Sequence, residues 1–293
     1  MFFLGKRTFY PLLAQDSIII IIIIIRFCNI SGLPQDGPQT GRWDLLSTRI
    51  VGGVDAPEGF APHMVALVFL EVPVMHVCGG SIVTSNHVLT AAHCIEVFIS
   101  WWTGELTPSF RGVIGSNRFD STANLIQFSK HIMHPNYNAW TIKYDIGVLT
   151  ASEEIIMSDR VAVIALDYNW IDGGEDSYVT GWGDTRLYPQ TSKLQYLNVR
   201  TITPKQCIEG VEEASQIWQH APHVDPSQEI CTLQAAGHGM CHGDSGSGLV
   251  LKLTGKQIGI VSWGFPCAHG FPDVFVRISG FKDWLLPLLR VEA

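Results

Sequence analysis

Basic residues are scarce in this chain. Lys and Arg total 19 of 293 residues against 27 Asp and Glu, giving a formal net charge of −8. No basic block offsets that balance, which argues against a nucleic-acid partner. Charged residues of both signs make up only 16% and apolar residues 46%, so a disordered chain is excluded. No Cys-x-x-Cys pair occurs among the seven cysteines, which removes the usual zinc and thioredoxin-type motifs. The eight isoleucines of Ile18–Ile25 fall short of the about 20 apolar residues a membrane span takes, so no stable span is expected. Helical signals are few, and no internal repeat is visible.

The cysteines that are present are Cys28, Cys78, Cys94, Cys207, Cys231, Cys241 and Cys267. The last six lie at spacings that close modest loops, which favours disulfides and an oxidising compartment. Sequence leaves their connectivity open. Cys28 belongs to a distinct first segment, where Lys6 and Arg7 precede the apolar tract in the manner of a secretory signal. Asp16 and Ser17 interrupt that tract and no Ala-x-Ala site follows, so residues 1–32 read as a signal peptide cut after Gly32 or as a mispredicted start. Removal of this segment leaves six cysteines and discards the Asn29-Ile30-Ser31 sequon. Residues 33–49, rich in Gly, Pro, Gln and Asp, read as a flexible, cleavable linker. It ends in Arg49, directly before Ile50-Val51-Gly52-Gly53, where a trypsin-like activator would cut.

From Ile50 onward short strands alternate with turn residues. Met64–Leu70, Gly80–Val83, His87–Thr90, Tyr178–Thr180, Lys193–Arg200, Gly248–Leu253 and Gln257–Trp263 carry strand patterns. Thr203-Pro204 reads as a short helix start with Pro just inside. Phe281–Leu289 reads as a terminal helix that Pro287 cuts or kinks. Many strands and few helices predict an all-β protein of barrels or sandwiches.

Three stretches carry chemistry. Gly239–Gly248 places Ser245 in a glycine-rich turn with free backbone N–H groups beside it, which suits a nucleophile with an oxyanion hole. A serine hydroxyl needs a base, and histidine suits that at neutral pH. Of the eleven histidines, His93 stands out: it follows a strand and Ala91-Ala92, and Cys94 beside it would pin its loop. Asp145 leads into the apolar run Ile146–Leu149, a costly position for a carboxylate without a partner. Trp101-Trp102 lies in a long stretch, 95–110, which reads equally as a surface loop shaping a groove and as packed core.

Taken together, Ile50-Val-Gly-Gly53, Thr90-Ala-Ala-His-Cys94, Asp145-Ile-Gly-Val-Leu149, Gly181-Trp-Gly183, Gly243-Asp-Ser-Gly246 and Ser262-Trp-Gly264 resemble the trypsin/chymotrypsin family of serine proteases, in the family order. The resemblance implies two six-stranded antiparallel Greek-key β-barrels, about 50–165 and 166–279, with a short C-terminal helix at about 280–290. It implies Ser245 as nucleophile, His93 as general base and acid, and Asp145 as the orienting carboxylate. The N–H groups of Gly243 and Ser245 would form the oxyanion hole. Cleavage after Arg49 would free the Ile50 amine to pair with Asp244. Disulfides would join Cys78–Cys94, Cys207–Cys231 and Cys241–Cys267, and Ser262-Trp263-Gly264 would pair with extended substrate.

Three departures bear on the expectation. Ser247 and Gly248 replace the Gly-Pro that usually follows. Gly239 stands where trypsins carry the pocket Asp, and Asp273 stands on the opposite wall where the family usually has Gly. That pair resembles arthropod digestive chymotrypsins and collagenolytic serine proteases, and implies chymotrypsin-like or broad cleavage with some tolerance of Arg and Lys. The alternative is an Asp273 that is turned away or partnered. No acidic cluster forms the calcium loop of some members, and the pairs His131/His134 and His220/His223 read as surface residues, so no metal or other cofactor is expected. The expected partners are protein or peptide substrates, an activating trypsin-like protease and protein inhibitors of proteases, acting on a secreted monomer. Digestion is the leading role. Alternatives are a defence, venom or regulatory-cascade protease, and a catalytically dead homologue acting as a binding protein.

Overall fold

A computed structural model describes residues 50–290, apart from 101, 122–123, 184–191, 219–220 and 266. The expected signal, Cys28, the linker through Arg49, Trp101 and His220 therefore lie outside the described residues.

A short strand β1 (Val54–Asp55) precedes the first sheet, which comprises β2 (Met64–Phe69), β3 (Met75–Ile82), β4 (His87–Thr90), β5 (Phe110–Val113), β6 (Leu125–Ile126), β7 (Phe128–Met133) and β8 (Gly147–Ala151). Its order is β6-β5-β2-β3-β4-β8-β7. β6 and β7 are one stretch of chain interrupted at Gln127. One end pairs with β5 and the other with β8, so this stretch closes the sheet into a six-strand barrel. β2 reads MVALVF and is buried at every position, because barrel interior and neighbouring structure cover its two faces. Stacked phenylalanines fill the barrel: Phe98 and Phe110 lie 3.8 Å apart and Phe110 and Phe128 5.0 Å.

The second sheet holds β9 (Asp176–Gly181), β10 (Gln195–Ile202), β11 (Glu229–Thr232), β12 (Gly248–Leu251), β13 (Lys256–Gly264) and β14 (Asp273–Arg277). β10 pairs with both β11 and β9, which closes these six strands. A two-residue strand β1 (Val54–Asp55) joins β10 from outside. β10 alternates cleanly: Leu197, Val199 and Thr201 point inward, while Asn198 and Arg200 face solvent. All pairings within both sheets are antiparallel, so the all-β double barrel is present.

Helices are confined to the edges. The helix expected from Thr203-Pro204 is α2 (Pro204–Ser215), twelve residues long, with α1 (Ala92–Val97) preceding it in the chain. Thr203 caps α2 in a reciprocal arrangement with Gln206, and Pro204 sits in its first turn. Cys207, Val211 and Ala214 face the core at helical spacing. At the C-terminus a 3₁₀ turn, Ile278–Phe281, leads into α3 (Lys282–Leu288). Pro287 does not cut α3 as expected. It lies one residue from the end, so it removes one intrahelical donor without interrupting the turns before it. Among the described residues no helix is long and apolar enough to cross a membrane.

Candidate active site

His93 and Asp145 come from adjacent ends of two paired strands. Thr90, the last residue of β4, faces Gly147, the first of β8. The chain beyond Thr90 turns through extended Ala91 into α1, so His93 stands on the first turn of a helix and not in the loop anticipated from sequence. The disulfide Cys78–Cys94 ties this turn back to β3. Asp145 lies just ahead of β8, and only 1% of it is exposed.

The Asp145 carboxylate is fully partnered. Its Oδ2 lies 2.8 Å from His93 Nδ1 and accepts the Ser262 hydroxyl at 2.6 Å, while Oδ1 accepts the His93 backbone N–H at 2.9 Å. Burial opposes its ionisation, but His93 and Ser262 outweigh burial and hold its pKa below the usual carboxylate value. Burial likewise disfavours a charged His93. The Asp145 charge and hydrogen bond, with Glu96 adding to them, reverse that and raise the imidazole pKa above 6.5. With Nδ1 committed to the carboxylate, Nε2 is the nitrogen left to exchange protons. It lies 3.6 Å from Cys94 Sγ, which is disulfide-bonded and has no proton to give.

Ser245 lies on a loop that the second barrel and β3 hold at several points. The disulfide Cys241–Cys267 anchors its start. Gly246 N–H donates to Val261 O at 2.8 Å, and Val261 N–H to Ser247 O at 2.8 Å. From the first barrel, Gly79 N–H donates to Ser245 O at 2.7 Å. This close approach requires missing side chains on both sides: a Cβ on Gly79 would strike Ser247 Oγ, and one on Gly246 would strike Gly79 O. Gly246 also has φ 81°, a left-handed conformation that glycine adopts without cost. Among the described residues the N–H groups of Gly243 and Ser245 have no protein acceptor, so both remain available to a ligand oxygen. Ser245 Oγ makes no hydrogen bond there either. The structure thus joins Asp145 to His93, and among the described residues no hydrogen bond joins Ser245 to His93.

Asp244 is fully buried and accepts the Gly183 N–H at 2.9 Å and the Cys241 N–H at 3.0 Å. Ile50 is fully buried in the core of the second barrel, with Val179, Met240 and Leu249. Val51 pairs with Gly239, whose N–H donates to Val51 O at 3.0 Å.

Asp273 opens β14, opposite Gly264 in β13. Its carboxylate is buried and turned toward Gly239 and Gly264. A Cβ on Gly239 would lie 2.9 Å from Oδ2, and one on Gly264 would lie 3.3 Å from Oδ1. It accepts one hydrogen bond, from Met240 N–H at 3.1 Å. Burial pushes its pKa up to about 7; the Met240 bond works against that, and the nearby Asp244 charge adds to it. The carboxylate is thus not turned away from Gly239 and Gly264, and among the described residues its hydrogen-bond partner is the Met240 N–H. Trp102 is 77% exposed, as a surface loop requires.

Sequence reasoning missed Glu229 and Lys143. Glu229 lies in a strand, Glu229-Ile-Cys-Thr232, that is buried throughout. The signal was the one used for Asp145: an acid in an apolar strand needs a partner. Its carboxylate holds Lys143 Nζ at 2.7 and 2.8 Å and accepts the Trp263 indole N–H at 2.8 Å. The described residues gather Cys78, His93 and Cys94 within 4.8 Å, but the two sulfurs are bonded to each other and supply no thiolate for a metal. The third expected pair, Cys207–Cys231, fastens α2 to β11.

The chain is similar in sequence to known proteins. Residues 50–285 match the family model described as Trypsin. Chymotrypsin-2 of Vespa crabro is 35% identical over 240 residues, covering 80% of this chain and 98% of its own length. Trypsin 5G1 of Aedes aegypti is 31% identical over 280 residues, covering 92% and 98%. The venom serine protease Bi-VSP of Bombus ignitus is 32% identical over 274 residues, covering 88% and 73%.

Proposed function

The chain belongs to the trypsin family of serine proteases, and on that premise we propose that it is a secreted serine endopeptidase, made as a zymogen and activated by cleavage at Arg49–Ile50. The observation that carries the reading is the ordered set Ser262–Asp145–His93, beside a serine loop with two unpartnered N–H donors. Ser245 Oγ attacks the scissile carbonyl while His93 Nε2 takes its proton. Asp145 fixes the tautomer and stabilises the imidazolium. Gly243 and Ser245 N–H receive the oxyanion. The C–N bond breaks as His93 returns the proton to the leaving amine, and water then hydrolyses the acyl-enzyme by the same exchange.

Activation by a trypsin-like protease is supported by the buried Ile50 and the neighbouring Val51–Gly239 pairing. The new Ile50 amine would pair with Asp244 and order the Gly243–Ser245 loop. Asp273 between Gly239 and Gly264 supports chymotrypsin-like or broad cleavage that also accepts Arg or Lys. Protein or peptide substrates and protein inhibitors are the expected partners of the monomer, and digestion the expected setting. A venom or defence role is the second reading, and the name of the Bombus ignitus relative favours it.

The test is to treat the purified chain with trypsin, sequence the new N-terminus and profile cleavage on a peptide library. Activity should follow the appearance of Ile50 at the N-terminus, and Ser245→Ala should abolish turnover in a folded protein. An inactive chain after confirmed cleavage would leave a binding role in place of catalysis.

A further inference from the structure

Lys143 lies between two residues in an unfavourable conformation. Ile142 has φ 49° and Tyr144 φ 54°, both left-handed, and Ile142 is β-branched. Such residues persist only where the surroundings over-determine them. Here the loop is closed on itself by reciprocal backbone hydrogen bonds between Asn138 and Lys143, at 3.1 and 3.3 Å. It is then fastened to the other barrel. Tyr144 N–H donates to Gln228 Oε1 at 3.2 Å, and Lys143 Nζ grips both oxygens of Glu229. Only 17% of Lys143 and 4% of Glu229 side chain is exposed.

Glu229 has two further partners. Its Oε1 accepts the Trp263 indole N–H, and its Oε2 accepts the Asp225 backbone N–H at 2.7 Å. Lys143 Nζ also lies 5.5 Å from the centre of the Trp263 ring. One carboxylate therefore connects the corner that presents Asp145, two residues beyond Lys143, to the indole of the strand Ser262–Gly264. Ser262 on that strand completes the circuit through its own bond to Asp145. A buried pair of this kind repays its desolvation poorly as a source of stability, so its position calls for another role.

We propose that Glu229, through Lys143 and Trp263, is a positioning residue that sets the register between the His93–Asp145 half of the site and the strand against which an extended substrate lies. The proposal rests on the endopeptidase reading. A chain bound along Ser262–Gly264 must deliver its carbonyl to a base carried by the other barrel. Glu229 fixes the span between them. Its effect falls on substrates that occupy the strand, and much less on those that occupy the pocket alone.

The experiment compares a tetrapeptide amide with a single-residue ester sharing the same cleaved residue, using trypsin-activated full-length chain normalised by active-site titration. Glu229→Gln, near in shape, removes the charge that Lys143 needs; Lys143→Met removes the other partner without touching the carboxylate. Each should lower the amide-to-ester ratio of kcat/KM about tenfold or more, mainly through KM of the amide. The double variant should lose no more than the worse single variant, and Lys143→Arg should recover most of the ratio. An unchanged ratio in either folded single variant overturns the proposal, even if the melting temperature falls. Where Glu229→Gln does not fold, the Lys143 variants decide alone. Wild-type chain that turns over neither substrate refutes the endopeptidase reading itself, a result separable from the ratio.

Discussion

Replacing Asp273 by Asn tests the proposed pocket role of its buried carboxylate in two ways. Burial among Gly239, Gly264 and Met240 moves its pKa from 3.8 to about 7. That displacement of roughly three units corresponds to about 4 kcal/mol at 1.36 kcal/mol per unit. A carboxyl whose folded pKa is raised holds its proton in the native state while the unfolded chain has released it. Its contribution to stability is therefore complete below pH 3.8 and is lost as pH rises through about 7. Asn keeps an oxygen for the Met240 N–H and has no charge to bury. Urea unfolding in a Ser245→Ala background should show the parent losing up to about 4 kcal/mol between about pH 4 and pH 8 relative to Asp273→Asn. Cleavage should respond to the same proton. A basic side chain entering the pocket draws Asp273 into its charged form, so cleavage after Arg or Lys should rise across pH 7 relative to cleavage after Phe. Asp273→Asn should remove that rise. Parallel stability curves together with an unchanged Arg-to-Phe ratio would refute the assignment.

Three further outcomes follow from the geometry. His63 is buried, its Nε2 has no partner among the described residues, and burial lowers its pKa from 6.5 to about 4. The unfolded chain takes up the proton first, so stability is lost as pH falls from 6.5 toward 4, by up to about 3 kcal/mol, and His63→Leu should flatten that limb in acid unfolding. Ser262→Ala removes the 2.6 Å donor to Asp145. A hydrogen bond to a charged group is worth about 1.5–3 kcal/mol, so kcat should fall roughly tenfold or more, and an unaltered kcat would remove Ser262 from the machinery. Gly79→Ala forces a methyl against Ser247 and should cost about 1–3 kcal/mol of stability with a larger loss of turnover, read by thermal melting beside a burst assay.

Much of this fold was legible where a local pattern coincided with a structural unit. His87–Thr90 is bounded by turn residues and forms β4 to the residue, and Thr203-Pro204 carries its own cap. Other strands hid for physical reasons. β7 reads FSKHIM and is largely exposed, so no apolar alternation marks it. β14 opens on Asp273 directly after a proline, so turn signals mask the start of its short Val-Phe-Val run. The helix carrying His93 is six residues long, too short to announce itself by periodicity. The site divided similarly. Motifs marked His93, Asp145 and Ser245, whereas Glu229 meets Lys143 across 86 positions and between two barrels, a pairing that no local pattern encodes.

The disulfide Cys78–Cys94 acquires a second meaning from its neighbours. Cys94 follows His93, and Cys78 precedes Gly79, whose N–H holds the carbonyl of Ser245. His93 and Ser245 are thus the two ends of one short tether: a peptide link, a disulfide, a second peptide link and a single hydrogen bond. Most disulfides act by limiting what the unfolded chain explores. This one also transmits position within the folded molecule. Severing it would free the His93 turn from the Ser245 loop as well as loosen the unfolded chain, and turnover measured beside the melting temperature separates the two effects.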